Sequence, residues 1–184
     1  MSNINLNNKL LKIVKYGDPI LRKKVENVKD FSNLAIFTEN MLKIMYEENG
    51  IGLAANQVGV SLNILVIDIS HMDNDNILKP LILINTKILH SEGSIKMEEG
   101  CLSVPEIRAE IVRPEIIKIE FQDLNQNFHT AAFSGLQSRV IQHELDHLSG
   151  KFFTDYLSPV KKSIISKRLM EISKDGQPST GIII

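Results

Sequence analysis

The spacing of apolar residues predicts a first helix within residues 30–49. Apolar side chains recur there every three or four positions, the period of a helix that buries one face: Phe31, Leu34, Phe37, Met41, Ile44 and Met45. Asp30 or Ser32 is the expected N-cap, and Gly50 lies just beyond the expected end. Residues 50–57 follow as a stretch of small residues that is typical of a loop.

The middle of the chain has the pattern of a sheet. Short apolar runs at residues 64–69 and 81–84 predict buried strands, separated by a polar loop at 71–80. Ile117, Ile119 and Phe121 alternate with polar residues, which predicts a half-exposed strand. A turn at 124–127 then leads to a partner strand.

Two more helices are predicted towards the end of the chain. Ser134 is the expected N-cap of a helix that runs to about Leu148 and ends at Gly150. Pro159 suits the first turn of a C-terminal helix. The order helix, strands, helix, helix favours an α+β fold. We expect mixed or antiparallel sheets that pack around the second helix, the one that ends near Leu148.

Length and composition indicate one soluble domain. The chain has 184 residues, of which 43% are apolar and 23% charged, and a net charge of −1. We therefore expect a single domain over residues 1–184, with a flexible tail at 176–184. The near-neutral charge argues against DNA or membrane binding, and the lack of a signal or membrane segment predicts a cytoplasmic protein. The one cysteine, Cys101, excludes an intrachain disulfide.

The sequence HELDH at residues 143–147 is the clearest chemical signal in the chain. On a helix, His143 and His147 lie four residues apart on one face, so both imidazoles can reach one metal ion. Leu136 and Val140 share that stripe, which predicts that the histidines lie on the buried side. Glu144 stands beside them as a candidate general base.

Two imidazoles do not complete a catalytic metal site, so a third protein ligand is required. A metzincin would have a third histidine three residues after Gly150, where this chain has Phe153. Glu171 lies at a distance used by another class of metalloprotease, but on a helix rich in lysine and arginine. Cys101 is the other candidate, because a thiolate binds Zn²⁺ or Fe²⁺ strongly. The residues alone leave both candidates open.

Three segments that occur in order resemble the signature motifs of the peptide deformylases: GIGLAANQ at 50–57, EGCLS at 99–103 and QHELDH at 142–147. The resemblance includes GDPILR at 17–22 and is to the bacterial type with a helical C-terminus. It implies that Cys101, His143 and His147 bind one divalent metal ion. It also implies a hydrolase that removes the formyl group from N-terminal formyl-methionine of nascent polypeptides and releases formate.

The resemblance further implies the roles of individual residues. The metal would be Fe²⁺ in the cell, with Zn²⁺, Ni²⁺ or Co²⁺ as alternatives in purified protein. Glu144 would take a proton from water and pass it to the leaving amine. The side-chain amide of Gln57 and the backbone N–H of Leu102 would stabilise the oxyanion.

By the same similarity, the substrate peptide would lie as an extra strand beside Gly50 and Gly52. Its methionine side chain would enter an apolar pocket near five residues: Ile51, Leu53, Met97, Leu136 and Val140. Arg108 is a candidate contact for the peptide backbone. Glu99 is a further candidate at this site and, with Arg113, Arg139 and Asp146, could orient the metal ligands.

Two other classes of function compete with this interpretation. A metallopeptidase that cuts peptide bonds would use Glu171 rather than Cys101 as a metal ligand. A structural zinc module would be closed by four protein ligands. The chain has no second cysteine, and its other histidines lie in polar or strand-edge contexts: His71, His90 and His129.

The predicted C-terminal helix is also a candidate contact for the ribosome. It has five basic side chains, which are Lys161, Lys162, Lys167, Arg168 and Lys174. A substrate that emerges from the ribosome would bring this face near ribosomal RNA or protein.

Overall fold

The computed structural model describes residues 11–72 and 79–175 and has the predicted α+β fold. Its helices are α1 (Leu34–Glu47), α2 (Gly135–Leu148) and α3 (Pro159–Asp175). Its strands are β1 (Gly52–Ala54), β2 (Ile64–Ile67), β3 (Leu81–Glu92), β4 (Ile95–Cys101), β5 (Val104–Arg113), β6 (Ile116–Gln122) and β7 (Phe128–Ser134). The predicted tail at 176–184 and most of the predicted loop at 71–80 lie outside the described residues.

The strands form two antiparallel sheets. Five strands pair in the order β1-β2-β3-β6-β7, and β4 and β5 form a separate hairpin. Helix α2 packs against β1, β2, β6 and β7, and Val140 and Ile141 contribute to the apolar core between them. The helix with the two histidines is therefore central, as the sequence predicts.

Helix α1 differs from its prediction at the N-terminus. Its N-cap is Asn33 rather than Asp30 or Ser32, and Asn33 has a positive φ of 65°. Asparagine tolerates this left-handed conformation better than most residues. The Asp30 carboxylate instead accepts hydrogen bonds from the backbone N–H and the hydroxyl of Ser32. The capping chemistry seen in the sequence thus stabilises the turn before the helix.

The strand pattern is more extensive than the sequence predicts. Strand β3 continues beyond the predicted run to Glu92, and its exposed second half pairs with β6. The hairpin of β4 and β5 has no counterpart in the predicted elements. On β4 the buried side chain of Glu99 takes an inward-facing position that is normally apolar. This carboxylate interrupts the alternation of apolar and polar residues that predicts a strand.

Within the described ranges, no helix combines the length and the apolar composition of a membrane span.

Candidate metal centre

Cys101, His143 and His147 come together where the end of β4 approaches the C-terminal half of α2. One ligand atom from each residue lies within 4.8 Å of the other two. The Cys101 Sγ is 3.1 Å from the His147 Nε2. A thiolate and two imidazoles suit Fe²⁺ or Zn²⁺, so these donors fit a divalent ion.

Glu99 fixes the orientation of the His143 ring. Its Oε2 lies 2.9 Å from the His143 Nδ1, which leaves Nε2 to face the other ligands. Burial by itself would raise the pKa of the Glu99 carboxyl. Hydrogen bonds and charges from His143 and Arg113 outweigh that effect and hold this pKa well below its usual range. Glu99 therefore stays ionised as an acceptor for the ring.

Two arginines compensate the buried charge of Glu99. Arg113 donates to both of its oxygens at 2.6 and 2.9 Å, and Arg139 donates to Oε1 at 2.7 Å. Arg113 also binds Asp146 at 2.6 Å, and the Tyr156 hydroxyl donates to the other oxygen of Asp146 at 2.9 Å. The four charges that the sequence suggested as orienting residues thus form one network, to which the structure adds Tyr156.

His147 is held through its backbone and by packing. The side-chain amide of Asn56 donates to the His147 carbonyl at 2.6 Å. The imidazole packs edge-on against Phe152, with 5.3 Å between the ring centroids. Sequence reasoning gave Asn56 no role, although its place inside the GIGLAANQ segment was a signal that could have found it.

Glu144 lies beside the ligands as a buried carboxyl group. Its Oε2 has no hydrogen-bond partner among the described residues. Burial raises the pKa of Glu144 to about 7. A Cβ on Gly52 would lie 2.6 Å from the Glu144 Oε1, so only glycine leaves room for this carboxylate. The arrangement suits a group that exchanges protons.

Gln57 and Leu102 flank the Cys101 thiol. The backbone N–H of Ala54 donates to the Gln57 Oε1 at 2.8 Å, which turns the Gln57 amide nitrogen towards the ligands. That nitrogen lies 3.6 Å from the Cys101 Sγ and 3.3 Å from the Ser103 hydroxyl. The fully buried Ser103 is a further contact that sequence reasoning missed, although it belongs to the EGCLS segment.

The ligands open into a cleft with a volume of about 580 Å³. Most of the residues suggested for the substrate line it: Gly50, Ile51, Gly52, Glu99, Arg108, Leu136 and Val140. Leu53 and Met97 do not line it. Leu53 is fully buried and packs in the core around α1. Their apolar character alone did not distinguish core from pocket.

The residues that the rival functions need lie elsewhere. Glu171 is half exposed on α3 and pairs with Arg168 at 3.2 Å. The metal-binding group found among the described residues consists of Cys101, His143 and His147, without Glu171 or a fourth ligand. His129 pairs instead with Asp123 on the surface.

Comparison with known proteins gives matches over most of the chain. The family model for polypeptide deformylase matches residues 10–163. The peptide deformylase of Buchnera aphidicola is 46% identical over 168 residues, which cover 90% of this chain and 97% of that protein. The peptide deformylase of Christiangramia forsetii is 41% identical, with 90% of each chain covered.

Solved structures agree in fold and in length. A peptide deformylase from Plasmodium falciparum superposes with a TM-score of 0.82 at 40% identity and covers 89% of this chain and 96% of its own. The peptide deformylase from Thermus thermophilus has a TM-score of 0.83 at 34% identity and covers 90% and 98%. A family match over most of the chain and a Cys-His-His cluster beside an open cleft lead to one conclusion. The chain belongs to the peptide deformylases.

Proposed function

We propose that this cleft removes the formyl group from N-terminal formylmethionine, with Glu144 as the proton-transfer group and Gln57 and Leu102 as oxyanion donors. One observation carries the assignment of roles. A buried carboxylate with an unpartnered oxygen lies next to a three-ligand metal cluster in an open cleft. Three protein ligands leave a position for water, which is the composition of a catalytic rather than a structural site.

The position of Glu144 supports a role in proton transfer. A divalent ion bound by the three ligands would lower the pKa of water and polarise the formyl carbonyl. The Glu144 Oε2 then accepts the proton of the attacking water and delivers it to the nitrogen that leaves. The Glu144 Oε2 is free of hydrogen bonds to the described residues, so it can gain and lose a proton without first breaking such a bond.

The positions of Gln57 and Leu102 support their proposed role as donors to the oxyanion. The bond from the Ala54 N–H fixes the Gln57 amide, so no reorganisation is needed when the oxyanion forms. Leu102 follows the ligand Cys101 directly and lines the same cleft. A neutral amide and a backbone N–H stabilise an oxyanion without adding a charge that would repel the metal ion.

The walls of the cleft suit an extended peptide. Strand β1 is at the edge of its sheet, and β4 has only β5 as a neighbour. Residues in and beside both strands line the cleft. A peptide could form main-chain hydrogen bonds with these residues, and such bonds do not depend on the side chains of the peptide. The methionine side chain would contact the apolar residues that line the floor, Ile51, Leu136 and Val140. Arg108, which is exposed at the mouth, would contact the peptide backbone.

The donors suit more than one metal. Thiolate and imidazole ligands bind Fe²⁺ and Zn²⁺ alike. Following the family resemblance, we propose Fe²⁺ in the cell, with Zn²⁺, Ni²⁺ or Co²⁺ able to occupy the site in purified protein. Metal analysis after purification without oxygen identifies the ion.

A pair of matched peptides tests the function. Formyl-Met-Ala-Ser should release one formate per peptide, and Met-Ala-Ser without the formyl group should remain intact, as measured by formate assay and mass spectrometry. Glu171→Ala should keep its metal and a rate within about twofold of wild type, because Glu171 is half exposed on α3. Cleavage between amino acids, or loss of metal from Glu171→Ala, would instead support a peptidase.

We also propose that the exposed face of α3 contacts the ribosome. Arg168 on this helix is already paired with Glu106 and Glu171. The lysines Lys161, Lys167 and Lys174 are exposed and available to phosphate groups. Replacing these three by glutamine should abolish a salt-sensitive co-sedimentation with ribosomes. Binding that is unchanged by the substitutions or by salt would contradict the proposal.

A further inference from the structure

The loop between β4 and β5 depends on contacts from outside the hairpin. Cys101 pairs with Val104, so Leu102 and Ser103 alone form the loop. Two-residue hairpin loops normally use turns in which at least one central residue has a positive φ. Neither Leu102 nor Ser103 has a positive φ. The strand register also shifts directly beside the loop, because Gly100 pairs with Arg108. The ladder is therefore interrupted there, and contacts from another segment add support to the loop.

That support comes from three consecutive residues near the start of the chain. The Lys15 ammonium donates to the Leu102 carbonyl at 3.0 Å, and the Tyr16 N–H donates to the Ser103 carbonyl at 2.8 Å. The Val14 N–H donates to the Gln57 carbonyl at 2.8 Å. One short segment thus contacts the residues of both proposed oxyanion donors.

We propose that Lys15 is a positioning residue for the reaction, a role that rests on the proposed function. Its ammonium holds the Leu102 carbonyl and thereby fixes the loop that presents the Leu102 N–H to the oxyanion. The bonds from Val14 and Tyr16 are backbone bonds that most residues could make, whereas the bond from Lys15 needs this side chain. A hydrogen bond from a charged donor is about twice as strong as a neutral one. Lys15 also lines the cleft, so its charge acts close to the site.

Lys15→Met tests the proposal, because methionine keeps a long apolar side chain and removes the donor. Lys12→Met, an exposed lysine in the same segment, is the matched control. We expect kcat of Lys15→Met to fall about tenfold, the loss typical of a hydrogen bond to a charged group, while KM and metal content match those of the control. Lys15→Arg should restore most of kcat, because it keeps a cationic donor.

A second measurement does not depend on activity. Amide hydrogen exchange of a peptide that spans residues 101–104 should be faster in metal-free Lys15→Met than in metal-free Lys12→Met. Equal kcat in the two variants, equal exchange, or a loss of kcat that follows loss of metal would each overturn the role of Lys15. If wild type and Lys12→Met release no formate, the proposed function fails, and the exchange measurement still decides whether Lys15 holds the loop.

Discussion

Glu144→Gln is expected to lower kcat for formate release by about 10³, within the range of about 10² to 10⁴ that general acid–base catalysis contributes. Glutamine has the shape of glutamate and fits the space beside Gly52, but it cannot accept the proton of water. Because Glu144 is not one of the three clustered ligands, the variant should retain one metal ion per chain. Steady-state kinetics and metal analysis of the same sample check both statements.

The control for this variant is Glu110→Gln. Glu110 lies on the outer face of β5 and pairs with Lys96 on the protein surface. Its substitution should leave kcat within about twofold of wild type, as is usual for surface positions. If Glu144→Gln retained more than about a tenth of the wild-type kcat, another group would have to move the proton.

The two histidines could be predicted because their geometry is local. Residues four apart on a helix share a face, so the sequence HELDH fixes where His143 and His147 lie relative to each other. The position of Cys101 could not be derived in this way. It reaches the histidines through the pairing of two strands and the packing of a hairpin on α2. The residue type made it a candidate, and the family resemblance distinguished it from Glu171.

The hairpin of β4 and β5 escaped prediction for an electrostatic reason. Periodicity methods assume that inward positions are apolar, yet β4 places Glu99 inward and β5 places Arg113 inward. These two charges are compensated by each other and by α2, which no local pattern shows. The residues that break the strand pattern are therefore the residues that orient His143.

Long-range contacts explain the remaining differences. Leu53 and Val140 are both apolar, but Leu53 packs in the core around α1 whereas Val140 lines the cleft. Lys15 contacts a loop that follows it by 87 positions. A local sequence pattern cannot show whether an apolar residue packs in the core or lines the cleft, or which distant loop a lysine contacts. The three-dimensional arrangement of the helices and strands determines both.

Arg113→Met is expected to reduce the free energy of unfolding by about 3–5 kcal/mol, because it removes the bidentate partner of the buried Glu99 carboxylate. Asp146 loses its arginine partner at the same time. Arg113 pairs with Glu99 and Asp146, and its side chain is only 5% exposed. Metal affinity should fall by about 10- to 100-fold, because Glu99 no longer holds the His143 ring in place. Denaturant unfolding of the metal-free protein measures the loss of folding stability separately from the loss of metal affinity.

Two further variants separate two possible causes of lower stability: an uncompensated buried charge and the loss of an arginine side chain as such. Arg108→Met removes an arginine on the same strand, 72% exposed and 3.6 Å from Glu98, and should change stability by less than about 0.5 kcal/mol. The double variant Arg113→Met/Asp146→Asn should recover part of the lost stability, since it removes one of the two negative charges that Arg113 compensated. Metal affinity should not recover, because Glu99 still lacks its bidentate partner. If Arg113→Met were as stable as Arg108→Met, the network behind His143 would not depend on compensation of buried charge.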